Sequence, residues 1–406
     1  MSDYLSDLVL KTSSRIILVV IDGLGGLPHP EFAQTELESA HTPVMDDLVK
    51  RGACGLLDPV APGITPGSVA GHLALFGYDP LEHKALRGPV EALGLGFNLK
   101  PGDLAARCNF CITDSEGVVL DRRAGRISTA HSRRIVEGLQ EKIRMIDDVE
   151  VTFLPGREHR FAVVFHGNDL QGPLSDSDPL QSGLAPLNVS ALRNSGKSIR
   201  AAGVVNQFIA KCRDELRSSE SANHILVRGI DNPLQLPSFE SRFGLAAAAI
   251  AAYPAYKGVA RMLGMDVLEV KGTEYSDEVA ALEVDFVAEP HSFHYIHFKK
   301  PDSLGEDGDF DGKVRELEII DRHLQPIVAL KPDVICVTGD HSTPAVMKSH
   351  SWHPVPFLIC SDRVRSDADT KFGEAHCATG GLGRIRGVDL MPLLLANAGK
   401  FKRFSA

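Results

Sequence analysis

The sequence lacks any apolar run long enough to cross a bilayer; its strongly apolar stretch Ile16–Ile21 falls far short. The polar start Met1-Ser-Asp-Tyr carries no signal-peptide pattern, so the expected compartment is the cytoplasm and no membrane partner is expected. No run of Lys or Arg is present and the net charge is −10, which argues against nucleic acid as a partner, because phosphate-backbone binding rests on clustered positive charge. Repeats and low-complexity segments are missing too, which removes solenoid and disordered-tail readings. The seven cysteines, at 54, 108, 111, 212, 336, 360 and 377, form an odd, scattered set that fits reduced, buried thiols better than a disulfide framework. Cys108-Asn-Phe-Cys111 is a lone CxxC without a second pair, a weak metal signal. What the chain does have is size: 406 residues, 43% of them hydrophobic, suffice for a sizeable core and for two domains.

The first sixty residues read as strand, loop, helix, strand. Ile16–Ile21 is a continuous apolar run, and Thr42 to Gly52 has a capped helical pattern ending in glycine. Strand-like runs return at His224 to Arg228, Ala288 to Phe298, Val334 to Thr338 and Phe357 to Cys360. They alternate with helical stretches at Leu245 to Leu263, Asp311 to Leu330 and Met391 to Ala398, which implies parallel strands covered by helices. Between these halves, over roughly residues 81 to 222, short runs with polar turns take over, as at Asp103 to Thr113, Gly117 to Leu120 and Arg160 to Phe165; this reads as an inserted α+β domain.

Chemistry gathers at five places. In Thr65-Pro-Gly-Ser68, a tight turn places Ser68 where the helix Val69 to Phe76 begins, among unsatisfied N–H groups that favour a phosphate; Ser68 is either a nucleophile or an N-cap. Asp22 directly follows a buried strand, where open α/β sheets keep their ligands, although Asp-Gly is also a common turn. Thr338-Gly-Asp-His-Ser-Thr-Pro344 again puts acid and imidazole at a strand end, and Asp340 and His341 can both reach one metal. Pro301 to Asp309 carries Asp302 and Glu306 after another strand; the competing reading is a solvated acidic loop. Lys348 to Pro356 offers His350 and His353 close together. Separated Asp and His clusters with a lone hydroxyl are what a two-metal phosphoryl-transfer site needs.

Together these residues resemble the alkaline phosphatase superfamily of metalloenzymes, and most closely its archaeal-type cofactor-independent phosphoglycerate mutases. The specific segments are Pro66 to Pro80, Arg87-Gly-Pro-Val-Glu-Ala-Leu-Gly94, Arg107-Cys-Asn-Phe110, Asp121-Arg-Arg-Ala-Gly-Arg126, Ser175-Asp-Ser-Asp-Pro179 and Thr338-Gly-Asp-His341. The resemblance implies an α/β core with a mostly parallel sheet, built from residues 1–80 and 223–406, and a substrate-binding insert at 81–222. It implies one divalent ion on Asp22, Ser68, Asp340 and His341, and a second on Asp302, the residue at 306 and His350, with no requirement for 2,3-bisphosphoglycerate. Position 306 departs from the family's Gly-His-Asp-Gly: Glu306 supplies oxygen in place of nitrogen, which suits Mn²⁺ or Mg²⁺ relative to Zn²⁺, with Co²⁺ also admissible. The implied activity interconverts 3-phosphoglycerate and 2-phosphoglycerate through a phosphoserine on Ser68, in glycolysis or gluconeogenesis. The competing readings are a metal-dependent phosphomonoesterase or phosphotransferase acting on another small phosphorylated acid, and a weakly active member that binds phosphate ligands. Lys257 matches the family's core lysine, and Asp121, Arg122, Arg123 and Arg126 are expected to grip the carboxylate and hydroxyl of glycerate, or else to form an ordinary surface turn.

Overall fold

Ile16–Ile21 is buried at all six positions because it lies in the middle of an eight-stranded sheet, flanked on both sides by parallel neighbours. The computed structural model describes residues 4–367 and 371–404; Met1-Ser-Asp, part of the start read above for a leader, lies outside them. In order, the sheet runs Asp266–Val267, Ala247–Ile250, Phe293–Phe298, Ile16–Ile21, Val334–Thr338, Val355–Ser361, Ala53–Asp58, Gly383–Arg386. Val355–Ser361 is antiparallel to both its neighbours, so the sheet is mostly, not wholly, parallel. Four helices supply the apolar faces that cover much of it. Tyr275–Ala288 and Phe310–Ala329 contribute Leu282, Phe286, Leu317 and Leu324, and Pro43–Arg51 contributes Leu48, to one continuous core with Val19 and Val337; Leu390–Asn397 buries Leu394 and Leu395. No helix among the described residues is long and apolar enough to cross a membrane.

Several elements differ from their sequence pattern; the strand read from Ala288 begins only at Phe293, and Ala288 ends the helix Tyr275–Ala288. Leu245 to Leu263 is not one helix: Ala247–Ile250 is a strand, and only Pro254–Met262 is helical. Alanine favours helix intrinsically, but here the backbone pairs with a neighbour on each side and is buried, and that tertiary context overrides propensity. The acidic stretch after Phe298 is not a loop but the helix Lys300–Asp307, with Pro301 in its first turn and Gly308 ending it at φ +77°. Thr42 makes no side-chain cap; instead the carboxylate of Asp321 takes the N–H groups of Val44 and Met45 at the helix start.

The chain divides into two compact units, Met1–Lys84 with Leu236–Ala406, and Ala85–Gln235. The smaller unit holds a six-stranded sheet in which Leu104–Thr113 pairs antiparallel with Arg160–His166, Val119–Asp121 and His224–Asp231. His224–Asp231 therefore belongs to this sheet and not to the core that the sequence reading gave it to, and the division falls after Gln235 in place of residue 222. The helices Thr129–Lys142 and Gly196–Leu216 pack Val136, Leu139, Val205 and Phe208 onto it. Cys108 and Cys111, three apart on one strand, fall on opposite faces and into separate apolar clusters, so they do not converge on one ion.

Candidate active site

Three adjacent parallel strands deliver their following residues to the same sheet edge: Asp22 after Ile16–Ile21, Asp302 after Phe293–Phe298, and Asp340 with His341 after Val334–Thr338. Gly23, at φ +66°, lets the first loop close on the second; a Cβ there would lie 2.9 Å from the Cα of Asp302. Lys313, with no exposed surface, fixes the third loop by donating to the carbonyls of Gly25 (3.1 Å) and Thr343 (2.9 Å).

Ser68 is the first residue of the helix Ser68–Leu75, whose N-cap is Gly67, so its hydroxyl is not used as a cap. Its Oγ lies 3.2 Å from His341 Nε2. The proton pattern around that ring follows from Thr343. The Thr343 hydroxyl donates to Asp302 Oδ1 (2.8 Å), so toward His341 Nδ1 (3.0 Å) it accepts, and the ring proton sits on Nδ1. His341 Nε2 is then a bare lone pair, 3.2 Å from Asp22 Oδ1 and 3.3 Å from Asp340 Oδ2. Both of those buried carboxylate oxygens lack a hydrogen-bond partner. Converging lone pairs from two carboxylates, an imidazole and a hydroxyl, out of water, form a set that a divalent cation fits, since burying such acceptors unpaired is costly.

The other group centres on Asp302. His350 donates from Nδ1 to the Pro66 carbonyl (3.0 Å) and turns Nε2 toward Asp302 Oδ1 (3.3 Å). Its ring stacks on that of His341 at 3.7 Å. One donor atom each from Asp302, His341 and His350 lies within 4.8 Å of the others. Glu306, one helical turn after Asp302, stands at the margin: its side chain is 56% exposed and its carboxylate is 3.8 Å from His350 Nε2. Burial alone would raise the Asp302 carboxyl, but His350 and Lys299 outweigh it and hold it down to about 2. Burial likewise pulls His350 down, yet Asp302 and the Pro66 carbonyl push it up to about 9. For Asp22 burial again opposes ionisation, and Lys299 and then His297 prevail, keeping it well below the carboxylate range.

Lys299, Tyr256 and Thr343 are among the residues that sequence reasoning missed here. The Lys299 ammonium contacts Asp302 and lies 3.1 Å from Asp22 Oδ2, a fixed positive charge joining the two groups, and the Tyr256 hydroxyl donates to Asp22. Lys299 follows a buried strand, the same signal that marked Asp22. His353 is not drawn in; its Nδ1 meets Ser351 Oγ at 3.1 Å. Lys257 is half-buried on the helix Pro254–Met262, and its charge acts on buried Glu278.

Within the smaller unit, Asp121 accepts the backbone N–H groups of Arg123 (2.8 Å) and Gly125 (2.6 Å), shaping the turn rather than standing open to a ligand. Arg122 grips buried Asp178 through two bonds of 2.9 and 2.7 Å. Arg123 and Arg126 are exposed. With Arg107 and Arg160, whose Nε atoms lack partners, they put enough positive charge around His159 that it falls, through burial first and these arginines next, to about 4. Arg160 was missed in the sequence.

A family model described as Metalloenzyme superfamily matches residues 14–397. A relative from Thermus thermophilus, 46% identical over 404 residues and covering 99% of this chain and 98% of its own, carries the name "Probable 2,3-bisphosphoglycerate-independent phosphoglycerate mutase". One from Aquifex aeolicus with the same name is 46% identical over 411 residues, 100% of each chain. Among solved structures, the cofactor-independent phosphoglycerate mutase of Thermoplasma acidophilum matches with a TM-score of 0.70 at 32% identity, over 95% of this chain and 100% of that one. With this match over nearly its whole length, the chain belongs to the 2,3-bisphosphoglycerate-independent phosphoglycerate mutase family, within the Metalloenzyme superfamily.

Proposed function

We propose that this protein interconverts 3-phosphoglycerate and 2-phosphoglycerate in the cytoplasm, through a phosphoserine on Ser68, with two divalent ions and without 2,3-bisphosphoglycerate. One ion would be held by Asp22, Ser68, Asp340 and His341, the other by Asp302, Glu306 and His350, and the oxygen-rich second set favours Mn²⁺. When bound, the ions lower the pKa of the serine hydroxyl and neutralise charge on the transferring phosphoryl group.

The observation that carries this reading is Ser68 Oγ, uncapped at a helix start and 3.2 Å from the unprotonated nitrogen of His341. Ser68 Oγ gives up its proton and forms a bond to phosphorus as the bond from phosphorus to the 3-oxygen of the substrate breaks, and that oxygen leaves protonated as glycerate. Glycerate then presents its 2-hydroxyl to phosphoserine; the new O–P bond forms, the Ser68 bond breaks, and the serine regains a proton. Helix N–H groups beside Ser68 and the Lys299 ammonium favour the phosphate at this position. Lys257 adds positive charge from the next helix. Holding glycerate between the two steps falls to the exposed Arg123 and Arg126 with Arg107 and Arg160, by charge-assisted bonds to its carboxylate; Asp121 and Arg122 hold the shape of that turn.

The test is an enolase-coupled assay on 3-phosphoglycerate with and without Mn²⁺, no 2,3-bisphosphoglycerate added, with inorganic phosphate measured in parallel. Mn²⁺-dependent 2-phosphoglycerate is expected; free phosphate as the main product would make the protein a phosphomonoesterase.

A further inference from the structure

At the end of the core sheet opposite Asp22 and Asp302, a second histidine–carboxylate group surrounds the start of the Phe293–Phe298 strand. Asp285, in the last turn of the helix Tyr275–Ala288, places Oδ2 2.8 Å from His291 Nδ1 and 2.8 Å from His294 Nε2. One donor atom from each of these three residues lies within 4.8 Å of the others. On the far side of the His291 ring, Nε2 is 3.0 Å from Asp266 Oδ2. The His294 side chain is fully buried, while those of His291 and Asp285 keep 11% and 12% exposure, so the group is shielded yet open to an ion from solvent. The strand's length, at about 3.3 Å per residue, sets it about 20 Å from Asp302, too far to act on Ser68.

We propose that Asp285, His291 and His294 form a Zn²⁺ site, with Asp266 orienting His291 from outside the ligand set. Two imidazole nitrogens and one carboxylate oxygen are a donor set that zinc takes, with water completing the fourth position. Asp266 accepts a proton kept on His291 Nε2, which frees Nδ1 as a ligand, the carboxylate–histidine–metal arrangement of bound zinc. Hydrogen bonding alone accounts for the group less well. It puts carboxylates against both nitrogens of His291, demanding two ring protons, and sets both rings on the single oxygen Asp285 Oδ2. An ion in place of the shared protons ties the end of the Tyr275–Ala288 helix to the Phe293–Phe298 strand and, through Asp266, to the sheet's edge.

The test uses the Mn²⁺-saturated enzyme equilibrated with buffered micromolar Zn²⁺ and counts zinc per chain by mass spectrometry. The parent should hold one zinc more than His291→Gln or Asp285→Asn, and Asp266→Asn, a surface change, should weaken that zinc by about 10- to 100-fold. Equal zinc in parent and His291→Gln would overturn the site. Should the variants fold poorly, anomalous diffraction at the zinc edge from parent crystals decides it alone: a peak among Asp285, His291 and His294 supports the site, and none there refutes it.

Discussion

A hydroxyl two residues beyond His341 decides what that ring can do. Thr343 spends its one proton on Asp302, so it can only accept from His341 Nδ1, and the free lone pair is turned toward Ser68. Thr343→Val removes both bonds at nearly constant volume. Calorimetric Mn²⁺ titration should show affinity down by about 10- to 100-fold, with Thr343→Ser close to the parent. Glu306 poses the other residue-scale question, because it is exposed and 3.8 Å from His350. If it ligates, Glu306→His should move the metal optimum toward softer ions and Glu306→Ala should lose activity relative to both; metal-dependence curves in which Ala matches the parent would make it a bystander. Asp22, Asp302 and Asp340 were visible in the sequence because each directly follows an apolar run or sits within a few residues of one. Thr343 and Tyr256 were not, because a threonine or tyrosine in a motif says nothing of its bonding until the loops that face it are placed.

The helix Ser68–Leu75 approaches the Asp340 loop so closely that a Cβ on Gly71 would lie 2.1 Å from the Asp340 carbonyl oxygen. Gly71→Ala therefore has to push the helix, and Ser68 with it, away from His341. Turnover is expected to fall by about 100-fold, since reacting groups tolerate little displacement, while circular dichroism stays that of the parent; unchanged turnover would mean that the loop yields instead. At this scale legibility followed burial. Val334–Thr338 and the Phe310–Ala329 helix agree with their patterns nearly to the residue because apolar period and length concur. Ala247–Ile250 was lost because alanine carries no strand signal, and what makes it a strand is its two neighbours.

For the whole molecule, the least legible feature was where one unit ends. His224–Asp231 is as apolar as a core strand, and only its antiparallel pairing with Leu104–Thr113 assigns it to the smaller unit. The larger unit also stores a pH dependence. Burial pushes the Glu278 carboxyl up to about 8, with Lys257 pulling against it. A raised acid holds its proton more tightly folded than unfolded, so stability should decline as pH climbs from the unfolded value of about 4.3 toward 8, and level off above. Glu278→Gln removes that slope: thermal unfolding should show its advantage over the parent widening from about pH 5 to about pH 8, and a constant difference would show that Glu278 is ionised in the fold. The central claim, covalent transfer through one serine, is tested most directly by acid-quenching the Mn²⁺-loaded enzyme during turnover of 3-phosphoglycerate and mapping phosphopeptides by mass spectrometry. Phosphate is expected on Ser68, with Ser68→Ala carrying none and forming no 2-phosphoglycerate; phosphate on another residue, or an active Ser68→Ala, would contradict the account.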